Sequence, residues 1–233
     1  MIDAAQAFTL NDLDGTAHAF DGTGPALVCF VKEDCETCNI AGPVLEGLFK
    51  AYGGGVEMVV LGQSGDKNAD FAQRHGLTMP VLADAGCKAS FDWDIEIVPA
   101  AFWIDADGKV VTKFEGFVRD DWQALSDQIA TETRQPAAQI DWDSLPAWRP
   151  GCGSKHFDPE IYDKLRAEAD GSVLRARKVE VASGDDVAEF MFDQGFSDGL
   201  PLVPPTPERV MRMLAGTHRD PQDVVATVPP NMG

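Results

Sequence analysis

Two apolar runs constrain this chain most: "PALVCFVK" (25–32) and "VEMVVLGQ" (56–63), each preceded by a glycine-containing turn and separated by a stretch of helical period. Short β-favouring runs without polar alternation mark strands buried on both faces. Between them Ala41, Val44, Leu45 and Leu48 recur at helical spacing until "GGG" (53–55) stops the pattern. A second helix is expected over "DKNADFAQRHG", closed by Gly76, followed by an extended "TMPVLAD" and a short helix around "CKASFDW". "AAFWIDADGKVVTKFEG" carries two β-rich runs joined at Asp107-Gly108, the signature of a hairpin. "RDDWQALSDQIATE" then places Trp122, Leu125 and Ile129 on one helical stripe behind an aspartate-rich first turn. The order β-α-β-α, hairpin, helix predicts an α/β fold: a mixed central sheet with helices on both faces.

At the junction of the first strand and its helix stands Cys35-Glu36-Thr37-Cys38. The C-terminal end of a central strand is where open α/β sheets place ligand sites. A C-x-x-C at a helix N-terminus has a physical reason to be reactive, because unpaired backbone N–H groups and the helix dipole favour a thiolate at the first cysteine. That thiolate attacks a disulfide, and the second cysteine resolves the mixed disulfide from the same helical turn. Cys35 is therefore the expected attacking thiol and Cys38 the resolving one. A zinc reading would need a second ligand pair, for which Cys152 and His156 have the spacing C-x3-H; a strand-to-helix junction is not a zinc knuckle, and no metal is expected. Cys29, in mid-strand, reads as core, and Cys87 reads as a small apolar residue at a helix start, with a third redox thiol as the alternative.

Charge narrows the partners. The net charge of −19 is spread over both the first 135 residues and the remainder, and an acidic surface repels phosphate backbones and anionic lipid. No nucleic acid and no membrane are expected as partners. The N-terminal "MIDAAQAFTLNDLDG" has no basic segment followed by an apolar one, so a cytoplasmic location is expected. Five cysteines in 233 residues do not make a structural disulfide framework.

With these residues in place, positions 6 to about 132 resemble the thioredoxin superfamily, and within it the redoxin-type branch of TlpA-like thiol-disulfide proteins. "FTLNDLDGTAHAF" resembles the opening hairpin of that branch, "CETC" its active site, Pro43 the proline in its active-site helix, "EIVPAAFWIDADGKVV" its cis-proline segment, and Gly116 the glycine before its last helix. The resemblance implies a cis Val98–Pro99 bond lying against the cysteines, with Val98 offering backbone hydrogen bonds to an extended substrate. It also implies a thiol-disulfide oxidoreductase that needs no bound cofactor and acts on a protein or small thiol/disulfide substrate. The upstream electron donor is not legible.

There are departures from the family pattern. The position of the family's buried acid, six residues before the first cysteine, is Cys29 here, with Glu33 only a candidate replacement, and the usual tryptophan before that cysteine is Asp34. Glu33, Asp34 and Glu36 add negative charge that opposes a thiolate, so the pair is expected to be a reductant. Two other functions stand beside this one. One is a thioredoxin-like docking or electron-delivery subunit. The other is a thiol peroxidase, whose P-x-x-x-T-x-x-C loop has no match around Cys35 or Cys38.

Residues 136–157 carry prolines and no sustained period, so they are expected to be a linker or a wrapping segment after a domain spanning 1–135. Within them Cys152 lies in "RPGCGSKH", between glycines that allow close backbone approach and beside Lys155 and His156. It is either an idle linker cysteine or an auxiliary thiol that exchanges electrons with Cys35. Residues 158–233 are expected to be mainly helical, with starts at Asp158-Pro159, Ser183/Asp186 and Thr206-Pro207 and a final strand in "DVVATVPPNMG". "FSDGLPLVPPTPERV" onward resembles the opening of a longer bacterial family with "DGLP" and "VPP" turns, and the resemblance implies an incomplete domain or a surface for a partner protein or oligomer.

Overall fold

The computed structural model describes residues 4–169, 179, 181, 186–200 and 202–219. The chain divides into two compact units, Met1–Tyr162 and Asp163–Gly233.

The first unit begins with a hairpin, β1 (Phe8–Asn11) and β2 (Ala17–Phe20), paired antiparallel. Then follow β3 (Ala26–Val31), α1 (Glu36–Tyr52), β4 (Glu57–Gly62), α2 (Asn68–His75), β5 (Val81–Ala83) and α3 (Lys88–Asp92). After β6 (Ile97–Val98) come β7 (Ala100–Ile104), β8 (Val110–Glu115), β9 (Phe117–Val118) and α4 (Arg119–Thr133). The five-stranded sheet has the order β5-β4-β3-β7-β8, with β4 parallel to β3 and β5, and β7 antiparallel to β3 and β8. This is the mixed sheet that the alternation of apolar runs predicts.

β3 is central because all six of its residues are apolar and buried. Its Cys29 faces Ala101 across the β3–β7 ladder, and burial pushes its thiol far above the ordinary range. On α1, Cys38, Ala41, Val44, Leu45, Leu48 and Tyr52 are all buried, which is the periodic face read from the sequence extended by one turn at each end. Pro43 sits inside α1, where it removes one donor from the helical ladder. α2 stops at Gly76, whose left-handed backbone (φ 59) closes the helix. The opening hairpin covers one end of the core with an aromatic cluster: Phe8 stacks on Phe20 at 4.9 Å, and Trp93 meets Phe8, Phe20, Phe30 and Phe102 at 5.0–6.4 Å. The indole N–H of Trp93 donates to Gln6 O at 3.1 Å, so the ring is polar-satisfied as well as packed. Cys87 caps α3 with a left-handed backbone (φ 54) that its neighbours in sequence do not announce.

Residues 136–157 run along this same unit. Ala138 N donates to Tyr52 Oη at 2.9 Å, and Ile140 packs against the core. Two short strands follow: β10 (Trp148–Arg149) pairs antiparallel with β9, and β11 (Cys152–Gly153) with β6. Short strands of this kind have no periodic signal, because two residues cannot show an alternation. Next come α5 (Pro159–Ala169), beginning at the predicted Pro159, and, in the second unit, α6 (Val187–Asp193) and α7 (Pro207–Leu214). Asp186 caps α6 through its carboxylate, which accepts from Ala188 N and Glu189 N. The predicted cap Ser183 and the predicted strand in "DVVATVPPNMG" lie outside the described residues.

Candidate active site

The strand-to-helix handover puts Cys35 at the N-cap of α1, with an extended backbone that leaves its sulfur facing the first turn. That sulfur accepts from Cys38 N at 3.2 Å, and as a thiol it donates to Val98 O at 3.6 Å. The Val98–Pro99 bond is cis, as the family resemblance implies, and it turns β6 so that Val98 lies across from Cys35. Gly116, with φ 80, donates its N–H to Pro99 O at 2.7 Å and so holds the far side of this turn.

The thiols are not equivalent. Hydrogen bonding from the Cys38 thiol lowers the Cys35 pKa to about 6, with further help from the Cys152 thiol and the N–H groups of Cys38 and Thr37, against an opposing effect of burial. Cys38 shifts the other way: burial raises it, and so does the neighbouring Cys35 thiolate, while the Lys32 N–H at 3.4 Å partly offsets both. One thiol is thus held as a ready nucleophile and the other as a protonated reserve. The acids expected to oppose the thiolate are not among its main influences. Glu33 is paired with Arg74, and Asp34 lies 3.8 Å from Lys32. Glu33 is therefore engaged by a guanidinium and does not stand in as a free acid for the position held by Cys29.

The third cysteine of the site comes from β11. Cys152 faces Val98 in register, the residue whose carbonyl accepts from the Cys35 thiol, and Cys152 is among the groups that lower the Cys35 pKa. The structure brings together Cys35, Cys38, Val98, Pro99 and Cys152, all five residues singled out in the sequence. Cys87 is buried beside Asp84 and Lys155, and burial raises its thiol.

Sequence reasoning missed what anchors β11. Gln63 Nε2 donates to Ser90 Oγ and to Ser154 Oγ, both at 2.7 Å, and Ser154 Oγ meets His156 Nδ1 at 2.9 Å. Ser90 Oγ in turn donates to Asp84 at 2.6 Å, and Lys155 N donates to Gln63 Oε1 at 3.1 Å. Every side chain in this chain of contacts from Asp84 to His156 is buried. On the other side, Thr37 Oγ1 donates to Pro150 O. His156, offered as a zinc ligand by spacing, is packed on Phe157 and edge-on to Phe91. The only sequence signal for this anchoring was the polar "GSKH" following the glycine-flanked cysteine.

A thioredoxin-like sheet that ends its central strand on a C-x-x-C facing a cis-proline defines a thiol-disulfide exchange protein. The AhpC/TSA family matches residues 1–113. The thiol-disulfide oxidoreductase ResA of Bacillus cereus is 33% identical over a stretch covering 48% of this chain and 68% of the relative. The chain belongs to this redoxin-type family of thiol-disulfide oxidoreductases. Among solved structures, MTB dsbF, in mixed oxidized and reduced forms, matches with a TM-score of 0.50 and 19% identity, covering 56% of this chain and 98% of that one. A secreted Mycobacterium tuberculosis disulfide oxidoreductase matches with a TM-score of 0.46 and 23% identity, covering 53% of this chain and 95% of that one.

These comparisons correct the expected location. The cytoplasmic expectation rested only on the absence of a leader-like segment, which assigns no compartment, and it is not retained; the similar Mycobacterium tuberculosis protein is a secreted one. Among the described residues no helix is long and apolar enough to cross a membrane.

Proposed function

We propose that Cys35 is the attacking thiolate and Cys38 the resolving thiol of an enzyme that reduces disulfides in extended protein segments. The observation that carries this reading is the split between the two thiols: the Cys35 sulfur sits at a helix N-cap, accepts from Cys38 N, and is held well below the usual thiol pKa, while Cys38 is held above it.

The steps balance without a bound cofactor. The Cys35 thiolate attacks one sulfur of the substrate disulfide, forming a mixed disulfide and releasing the other half as a thiolate. The sulfur of Cys38 then attacks Cys35 Sγ, its proton passing to the departing substrate sulfur. Two electrons leave the protein dithiol and two thiols leave the substrate. Lys32 N–H, which donates to Cys38 Sγ, supports charge on that sulfur as it attacks. Val98, before the cis-proline and opposite Cys35, is the strand edge for a substrate segment.

A Cys35 pKa of about 6 favours the reducing direction. Motifs of this kind span pKa values from about 7 in the reductant thioredoxin to about 3.5 in the oxidant DsbA. The corresponding potentials are about −270 and −120 mV, and this protein is expected nearer the first. Reduction of insulin by the dithiothreitol-coupled protein tests the reading. Turnover is expected for the native chain and is expected to vanish for Cys35→Ser. A folded Cys35→Ser variant that still turns over would remove Cys35 from the reaction.

A further inference from the structure

Cys35 is fully buried in the reduced protein, although a nucleophile that attacks disulfides has to meet one. What covers it belongs to the chain itself. β11 lies antiparallel on β6, so Cys152 occupies the strand position opposite Val98 that a substrate would take, and Val98 O is the acceptor of the Cys35 thiol at 3.6 Å. We infer that Cys152 is a third catalytic thiol, the resident exchange partner of Cys35, presented by residues 148–153 in the manner of a bound substrate strand. This rests on the assignment of Cys35 as attacking thiol.

Three features of the segment argue for a built position. Gly151 has no side chain where one would stand: a Cβ there would lie 2.2 Å from Ile97 Cγ2 and 2.5 Å from Val98 O, so only glycine lets β11 approach β6 this closely. Before it, β10 is tied to β9, with Arg119 N donating to Ala147 O at 2.9 Å. After it, Ser154 is locked into the buried contacts from Asp84 through Gln63 to His156, and Ser154 N donates to Glu96 O at 2.9 Å. An idle linker has no use for five buried polar side chains in a row, since each needs a partner to be tolerated there.

The chemistry closes within the site. After the Cys35 thiolate has opened a disulfide, the mixed disulfide at Cys35 faces two thiols, Cys38 from its own helical turn and Cys152 from β11. Attack by Cys152 on Cys35 Sγ forms the Cys35–Cys152 disulfide, the Cys152 proton leaving with the displaced thiolate. Cys38 can then attack Cys35 Sγ, forming Cys35–Cys38 and returning Cys152 to a thiol. Burial and the Cys35 thiolate both raise Cys152, to about 11. The second of these effects disappears once Cys35 is in a disulfide, which is when Cys152 is required to act.

The test uses the full chain carrying Cys38→Ser, oxidised with glutathione disulfide, alkylated and mapped by mass spectrometry without reduction. The expected product is a Cys35–Cys152 crosslinked peptide pair, with the glutathione adduct at Cys35 accumulating only when Cys152→Ser is added. Stable glutathionylation of Cys35 with Cys152 still open to alkylation would overturn the proposal. The parent assignment is read separately from Cys35–Cys38 disulfide formation in the native chain. If that disulfide forms and the crosslink does not, only the role of Cys152 falls. Cys152→Ala supplies a readout independent of crosslinking: the alkylation midpoint of Cys35 is expected to rise above the native one, because a donor to its thiolate has gone, and an unmoved midpoint would count against the contact.

Discussion

Cys35 shows how one residue acquires chemistry from its position. A thiol of ordinary pKa 9.0 is brought to about 6 by hydrogen bonds from Cys38, then Cys152, then the backbone of the first helical turn, although burial works against it. The pH dependence follows with a definite sign. The folded value lies below the unfolded one, so the thiolate's contribution to the stability of the reduced protein is present above pH 9 and is lost as pH falls through about 6. The rate of Cys35 alkylation by iodoacetamide is expected to rise with pH through a midpoint near 6. A midpoint near the ordinary thiol value, measured by mass spectrometry on peptides, would contradict the hydrogen-bonded thiolate. The C-x-x-C and its orientation were legible in the sequence because a strand run and a helical period flank it. The pKa was not, because its donors come from positions 38 and 152, and the acids at 33 and 34 that looked decisive in sequence are paired with cations.

At the scale of elements, the decisive contact is a strand of two residues. β11 makes a single short pairing with β6, yet it places Cys152 over the site, and its approach depends on Gly151. Gly151→Ala inserts a methyl where no space exists and is expected to cost roughly 1–3 kcal/mol through displacement of the segment. Hydrogen exchange should locate the effect: amides of residues 148–154 are expected to exchange faster while those of β3 and β7 stay protected. Uniform loss of protection would mean that the segment is part of the global unfolding unit. The longer elements were readable because burial imposes a period on them. α1 keeps its apolar face in register with the sheet, and the hairpin of β7 and β8 turns where Asp107-Gly108 was read, with Gly108 at φ 78. The linker reading of residues 136–157 came from the lack of such a period.

For the molecule as a whole, the first unit depends on contacts distant in sequence. Tyr52, the last residue of α1, accepts from Ala138 N and lies 3.3 Å from Ser126 O, joining α1, α4 and the segment after α4. Tyr52→Phe removes the acceptor and leaves a buried backbone donor unpaired, an expected loss of about 1–3 kcal/mol. Urea denaturation should show a lower midpoint with an unchanged slope. A midpoint equal to the native one would mean that the segment after α4 contributes nothing to the stability of this unit.

The order and type of elements around the sheet followed from the sequence alone, because buried strands and amphipathic helices must repeat their apolar residues at fixed periods. The redox pair followed too, because its chemistry needs only local spacing at a strand-to-helix junction. The third thiol at the site was decided by tertiary structure. Cys152 lies more than a hundred residues from Cys35, and only the pairing of β11 with β6, the gap at Gly151 and the buried polar contacts of Ser154 bring it to Val98, whose carbonyl meets the Cys35 thiol. Contacts of that kind are made by shape and hydrogen bonding between distant segments, and they leave no period in the chain.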